Sequence, residues 1–341
     1  MISIPLFHKR SFWIVSFLLL ATAIIFFEKF VVHSPQFVLS SSRISLAVTV
    51  DMLVIVPLLW YVFMVRKAKL PLVSVMMPLV ACFVIASAML PAAQHQWLGY
   101  FEKVLALAEL LVLGYTVIKI RQVISAYKQA SLLRNDFIFN LNIGLEKVLG
   151  KSLLTRVFVS EISVVRYGLL GWRKPREVQQ GQPFFSIHQT SGYGMILVAI
   201  TMVLVAETSG FHFLIRMWSP VAALIATLSS VYFILFILAD YVAIVKRPIA
   251  IVNDLLAIRV GLRCNADVPL SHIKSITKIR NYKNDSKEFF NARLIGCSPN
   301  VLIELSEPVL IKGLYGKGRM ATVIALNIDD CDALYKQVFK A

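Results

Sequence analysis

The chain has 341 residues, of which 58% are hydrophobic and only 16% charged, and its mean hydropathy is +0.73. Soluble domains carry about 25% charged residues, so composition excludes that class and points to a membrane protein. The net charge of +16 would suit a nucleic-acid binder, but cytoplasmic loops of membrane proteins also gather Lys and Arg, so the position of each basic residue has to decide.

The opening MISIPLFHKRSFWIVSFLLLATAIIFF has the basic flank and apolar core of a signal sequence, yet its apolar run continues past any small-residue cleavage site. It reads as an uncleaved anchor and first span. Five further stretches reach the roughly 20 apolar residues that a helix needs to cross the hydrocarbon. They lie at about 44–65, 70–90, 101–120, 192–215 and 220–245. Four transmembrane helices therefore fill 1–120, and two more fill 191–245.

Six spans place both termini on one side, and the charges say which. The N-terminal flank, the turn after span two, the end of span four and the segments 121–190 and 246–341 together hold 31 of the 35 Lys and Arg. Only Lys29, Arg43, Lys103 and Arg216 remain for the other face. Both termini are expected in the cytoplasm. The charge excess is then a topology signal. Nucleic acid is not expected as a partner, whereas membrane lipids with anionic headgroups are.

Residues 121–190 interleave apolar side chains with Arg156, Glu161 and Arg166. This pattern predicts amphipathic helices lying at the cytoplasmic interface. A loop carrying Pro175, Gly181 and Pro183 follows. From 246 onward the period changes to two, with Asn253–Asp254, Gly261 and Asn265–Asp267 as turn residues, which predicts successive β-strands. DDCDALYKQVFKA then opens with acids suited to a helix start.

Three features of 246–341 resemble bacterial pleckstrin-homology-like (PH-like) domains. They are LLAIRVGLRCNADVPLSHIKSI with its glycine turn, the PNVLIELSEPV strand pair, and the acidic start of the last helix. The membrane half, with FFSIHQTSGYG, ETSGFHFLIRMWSP and ADYVAIVKRPI in that order, is similar to bacterial polytopic membrane proteins that carry such a domain. The resemblance implies six spans followed by a small PH-like β-barrel with a C-terminal helix, in the bacterial inner membrane. It implies protein or anionic-lipid binding, and supplies no activity.

Ionisable groups inside spans are costly and by default mark sites. At about 1.5 Å per residue, Asp51, Glu109 and Glu207 fall roughly 10–12 Å below the outer ends of their helices, on one level. His212 sits about 140° around the helix from Glu207, so the two share a face only if the helix breaks at Thr208-Ser209-Gly210. Such a group suits a divalent metal, a proton site in a transporter, or carboxyls hydrogen-bonded to Ser, Thr or backbone. At the inner face Asp240 has two expected sets of neighbours: His188 with Glu161 or Tyr167, or a cation of the interfacial segment.

Lys274, Lys278, Arg280, Lys283 and Lys287 form a basic cluster suited to anionic lipid, or to simple solvation. Cys82, Cys264, Cys297 and Cys331 show no CxxC or Cys/His spacing, which argues against a structural zinc site or a disulfide framework. No nucleophile elbow, Walker loop or dinucleotide fingerprint is present, and the glycines of KGLYGKG lie in a β-rich context. Catalysis is therefore not the expected role, and no cofactor is evident. The alternative is a membrane-embedded metal-dependent enzyme or proton-coupled transporter built on the intramembrane carboxylates.

Overall fold

Backbone groups inside hydrocarbon have no water to bond, so long apolar runs must close their hydrogen bonds within helices. This computed structural model describes residues 6–339 apart from 68–69, 180, 281–287, 293, 295 and 317. The chain divides into two compact units, 1–119 and 120–341. Five helices are long and apolar enough to cross a membrane.

Three of the five lie in the first unit: α1 (Leu6–Val32), α3 (Ser41–Lys67) and α4 (Leu72–Met89). The short helix α2 (Pro35–Leu39) joins the first two. They pack around Phe17, Met52, Val56, Cys82 and Ala86. Phe17 meets Trp60 edge to face at 5.1 Å, and the Trp60 indole donates to Ser74 Oγ at 3.0 Å. Along α3 the turns widen at Asp51–Ile55 and Tyr61–Lys67, on either side of Pro57, which has no N–H to give.

The expected fourth span, 101–120, lies within α5 (Gln96–Ser131), one helix of 36 residues whose part from Ile120 belongs to the second unit. Glu102, Lys103, Glu109 and Lys119 interrupt its apolar run, and it is not one of the five.

In the second unit lie α6 (Phe137–Leu149) and α7 (Leu153–Val165), which continues through a wide turn at Arg166–Leu170 and a tight one at Gly171–Arg173. Asp136 and Ser152 cap these helices, accepting from Phe139 N at 3.2 Å and Thr155 N at 3.1 Å. The remaining two apolar helices are α8 (Tyr193–Trp218) and α9 (Pro220–Lys246). The helical extension of α7 packs closely on α9 because Gly168 has no side chain. A Cβ there would sit 2.6 Å from Leu235 Cδ1.

Eight described strands form one sheet: β1 (Phe184–Phe185), β2 (Ile249–Val252), β3 (Leu255–Val260), β4 (Cys264–Pro269), β5 (Ile273–Lys278), β6 (Phe289–Asn291), β7 (Val301–Gly313) and β8 (Gly318–Leu326). Their order is β1-β2-β3-β4-β7-β8-β6, with β5 also on β7. Neighbours are antiparallel except β6 and β8. The free edge of β7 serves β5 over Val301–Leu305 and β4 over Lys312–Gly313, with a bulge between Glu304 and Val309 on its β8 side. The helix α10 (Cys331–Val338) closes the chain, and Asp330 caps it by accepting from Ala333 N at 2.9 Å.

Two turn readings come out differently. Asn253 and Asp254 take positive φ of 50° and 59° between β2 and β3, as a two-residue hairpin turn requires. Asn265–Asp267, expected as a turn, lies inside β4, where Cys264, Ala266 and Val268 alternate inward and hold the strand straight. The sheet also recruits Phe184–Phe185 from before α8, so it draws on chain outside 246–341.

Candidate functional site

Arg259 stands in the middle of the apolar strand LLAIRV and is 2% exposed. A guanidinium is almost never enclosed to that degree without a partner. Its partner is Asp136, whose Oδ2 lies 3.1 Å from Arg259 Nε. The same carboxylate takes Arg247 Nη2 at 3.0 and 3.2 Å and Nε at 3.2 Å. Arg247 is 1% exposed, and also donates to Gly261 O at 3.0 Å and Asn265 Oδ1 at 2.8 Å.

Glu177 holds the outer side of the cluster. Tyr167 donates to its Oε1 at 2.9 Å and Phe137 N to its Oε2 at 2.8 Å, with Arg166 at 3.6 Å. Arg134, 8% exposed, reaches Asp267 at 2.8 Å.

The cations divide Asp136 unequally. Burial works against its charge, but Arg247, Arg259, Arg134 and the Phe139 N–H hold its pKa well below the usual carboxylate range. Burial also opposes the charge on Arg247, yet Asp136 and Glu177 keep its pKa above the ordinary arginine value. Arg259 has the poorer share. Burial lowers it to about 10, with Asp136 pulling upward and Arg247 and Arg134 adding to the fall. It is the undercompensated cation of the cluster.

Above these groups lies a cavity of about 380 Å³ between α6 and α7 on one side and β3, β4 and β7 on the other. The enclosed Arg134, Asp136, Arg247 and Arg259 line it, as do the exposed Arg156 and Lys312. Other parts of its wall are apolar, among them Ile138, Ile143, Val159 and Leu314. Convergent cations in a part-apolar concavity are suited to holding an anion that carries an apolar group. The sequence held one signal for this site: a charged residue at an inward position of an apolar strand. Asp136 and Arg134, in the polar break before α6, gave no sign of their role.

Residues expected to carry chemistry are distributed differently. Glu207 and His212 line a small cavity of about 80 Å³ between α8 and α9, although α8 runs unbroken through Thr208-Ser209-Gly210. The Thr208 and Ser209 hydroxyls bond back to Leu204 O and Val205 O at 2.6 and 2.9 Å, which preserves the helix. His212 Nδ1 lies 2.8 Å from Thr227 Oγ1, and Glu207 is exposed. Within the first unit, Asp51 interacts electrostatically with Glu28, a group buried at 3% exposure, while Glu109 is exposed. Among the described residues no three His, Cys, Asp or Glu side chains gather as a metal site.

Asp240 takes its cation from the turn between β3 and β4 rather than from α6 or α7. Arg263 Nε donates to Oδ2 at 2.9 Å, Leu262 N to Oδ1 at 2.9 Å, and the Tyr193 hydroxyl sits 3.3 Å away. Glu161 instead accepts from Tyr232 at 2.7 Å and Tyr315 at 3.5 Å. His188 stands edge-on to Tyr241 at 6.4 Å. Burial holds its pKa below the ordinary histidine range, with Asp329 opposing.

In the basic cluster, Lys274 and Arg280 are exposed, and Lys278 is paired with Asp332 at 2.7 Å. Lys283 and Lys287 lie outside the described residues. Comparison with known proteins finds no matching family model, curated protein or solved structure, so the reading below rests on the residues themselves.

Proposed function

We propose that this chain is a non-catalytic, multi-pass protein of a bacterial inner membrane. Its sheet is a PH-like module that binds anionic lipid headgroups at the cytoplasmic face. The observation that carries this reading is the cationic floor of the cavity beside helices with an apolar outer stripe. On α7 and its extension, Leu154, Phe158, Val165, Leu169 and Trp172 are exposed while Thr155, Val159, Ser163 and Tyr167 are buried. Such a two-faced helix suits the membrane interface, with Trp172 at headgroup level.

In this reading 101–120 is the sixth span, supported by the exposure of Leu107, Leu110, Leu111 and Leu113 on one turn after another. Both termini are cytoplasmic, supported by the distribution of Lys and Arg.

Full-length protein extracted from bilayers of mixed phosphatidylglycerol and phosphatidylcholine is expected to retain the acidic lipid several-fold in excess, as read by native mass spectrometry. Equal retention of the two lipids, with capture of a cytoplasmic protein instead, would overturn the lipid reading in favour of a protein partner.

A second reading, proton-coupled transport, is favoured by the interacting carboxyls Glu28 and Asp51 in the apolar first unit. Carboxyls placed together within spans are a setting for a proton relay. Vesicles holding the wild-type chain would then take up protons under an imposed gradient at least tenfold faster than vesicles holding Asp51→Asn. Equal rates would rule out the pair as a proton path.

A further inference from the structure

Two enclosed guanidinium donors beside the cavity share one carboxylate. Arg134 Nε and Arg259 Nε lie 3.8 and 3.1 Å from Asp136 Oδ2, yet neither is aligned for a hydrogen bond with an acceptor among the described residues, and both residues line the cavity and are buried. Asp136 pairs with both by charge, while its Oδ1 accepts from Arg247 and Phe139 N and its Oδ2 from Arg247. A donor held off the line of its acceptor is weakened, and one carboxylate shared among three guanidiniums leaves net positive charge on the floor of the cavity.

Charge narrows what the cavity would hold. Five cationic side chains line the cavity, namely Arg134, Arg156, Arg247, Arg259 and Lys312, against the three carboxylates Asp136, Glu146 and Asp267. The surplus is two positive charges. A phosphate monoester carries about −1.5 to −2 near neutral pH, whereas a phosphodiester or a carboxylate carries one negative charge. Size and polarity narrow it further. At about 380 Å³ the cavity is at the lower end of ligand sites, and Ile138, Ile143, Val159, Val309 and Leu314 supply an apolar wall.

We propose that the cavity binds a phosphate monoester carried on a single apolar chain, with the exposed Arg156 and Lys312 meeting the phosphate and the enclosed Arg134, Arg247 and Arg259 adding positive potential beneath it. This rests on the anionic-ligand reading above and names the ligand class for it. Free phosphate shares the headgroup chemistry and is the other source. The lowered pKa of Arg259 agrees with a cation that lacks part of its counter-charge.

The test uses the full chain in non-ionic detergent, titrated with lysophosphatidic acid, with lysophosphatidylglycerol of the same chain length, and with inorganic phosphate. Lysophosphatidic acid is expected to bind at least tenfold tighter than lysophosphatidylglycerol. The exposed pair R156Q/K312Q should weaken it tenfold or more without lowering thermal stability, and K274Q/R280Q should leave it unchanged. Inorganic phosphate binding as tightly as lysophosphatidic acid supports the phosphate site and identifies the soluble source.

Equal affinity for the two lysolipids, or R156Q/K312Q binding like wild type, overturns the proposal. Continued preference for phosphatidylglycerol in the bilayer assay would then show that the anionic-lipid reading survives without this cavity.

Discussion

Asp136→Asn is expected to destabilise the second unit by about 3–5 kcal/mol, the cost of removing one partner from an enclosed ion pair. The amide can still cap α6 at Phe139 N, so the loss isolates charge from shape. Arg247 and Arg259, 1% and 2% exposed, would be left with Glu177 at 3.9 Å from Arg247 and little else of opposite sign. Thermal unfolding and limited proteolysis of the full chain in detergent measure the effect. A change under about 1 kcal/mol, the scale of a solvated surface pair, would mean the cluster is open to water.

The double variant D136N/R259M is expected to recover part of the loss, with a coupling of roughly 1–3 kcal/mol in the mutant cycle. Two guanidiniums and one carboxylate form a single electrostatic unit here.

The pH dependence follows with its sign. The folded-state pKa of Asp136 is depressed, so its stabilisation is fully present above the ordinary Asp value of about 3.9. It is lost as the pH falls below that value toward the folded one. Wild type should therefore lose stability on acidification below about pH 4, and D136N, already lacking the contribution, should show a flatter profile over that interval.

Gly261→Ala is the second change with a large expected effect. Gly261 sits between β3 and β4 at φ +57°, where an alanine is strained by about 1–3 kcal/mol. Its added Cβ would also run into the Asp240 carboxylate. That carboxylate cannot simply turn aside, because Leu262 N and Arg263 Nε both donate to it at 2.9 Å. The expected loss is about 2–4 kcal/mol, combining strain with overpacking, and the β3–β4 turn should part from α9.

Protease access at Leu262–Arg263 together with unfolding temperature would read both effects. Asp240→Asn/Gly261→Ala should be no more stable than Gly261→Ala if the carboxylate is the latch. A neutral result for Gly261→Ala would show that neither the positive φ nor the approach of Asp240 constrains the turn.

The two sites differ in how much the sequence showed of them. Asp240 was visible as an ionisable group near the end of an apolar run, and that it would take a cation was an open reading. Its partner, Arg263, lies 23 residues along in a β-turn, and no local pattern singles it out from fifteen basic residues in the same segment. Arg259 could have been singled out, since inward positions of an apolar strand rarely carry charge. Asp136, more than a hundred residues away from either arginine, could not. The alignment of Asp51, Glu109 and Glu207 was an argument from depth alone. Depth along a helix says nothing about rotation, and the carboxyl with which Asp51 interacts is Glu28, a residue at the end of the first apolar run.

Apolar length, the change of period after α9, the Asn253–Asp254 turn and the acidic cap of α10 were all readable in one dimension. Each depends on neighbours within a few residues, and backbone hydrogen bonding in hydrocarbon or in a hairpin leaves little freedom. Tertiary structure alone decided which charges meet. Burying a guanidinium is tolerable only where a carboxylate arrives from elsewhere in the chain, and that arrival is set by how α6, α7, α9 and the sheet pack. The cavity beside Asp136 is set by that same packing, which brings Arg134, Arg247 and Arg259 around one carboxylate.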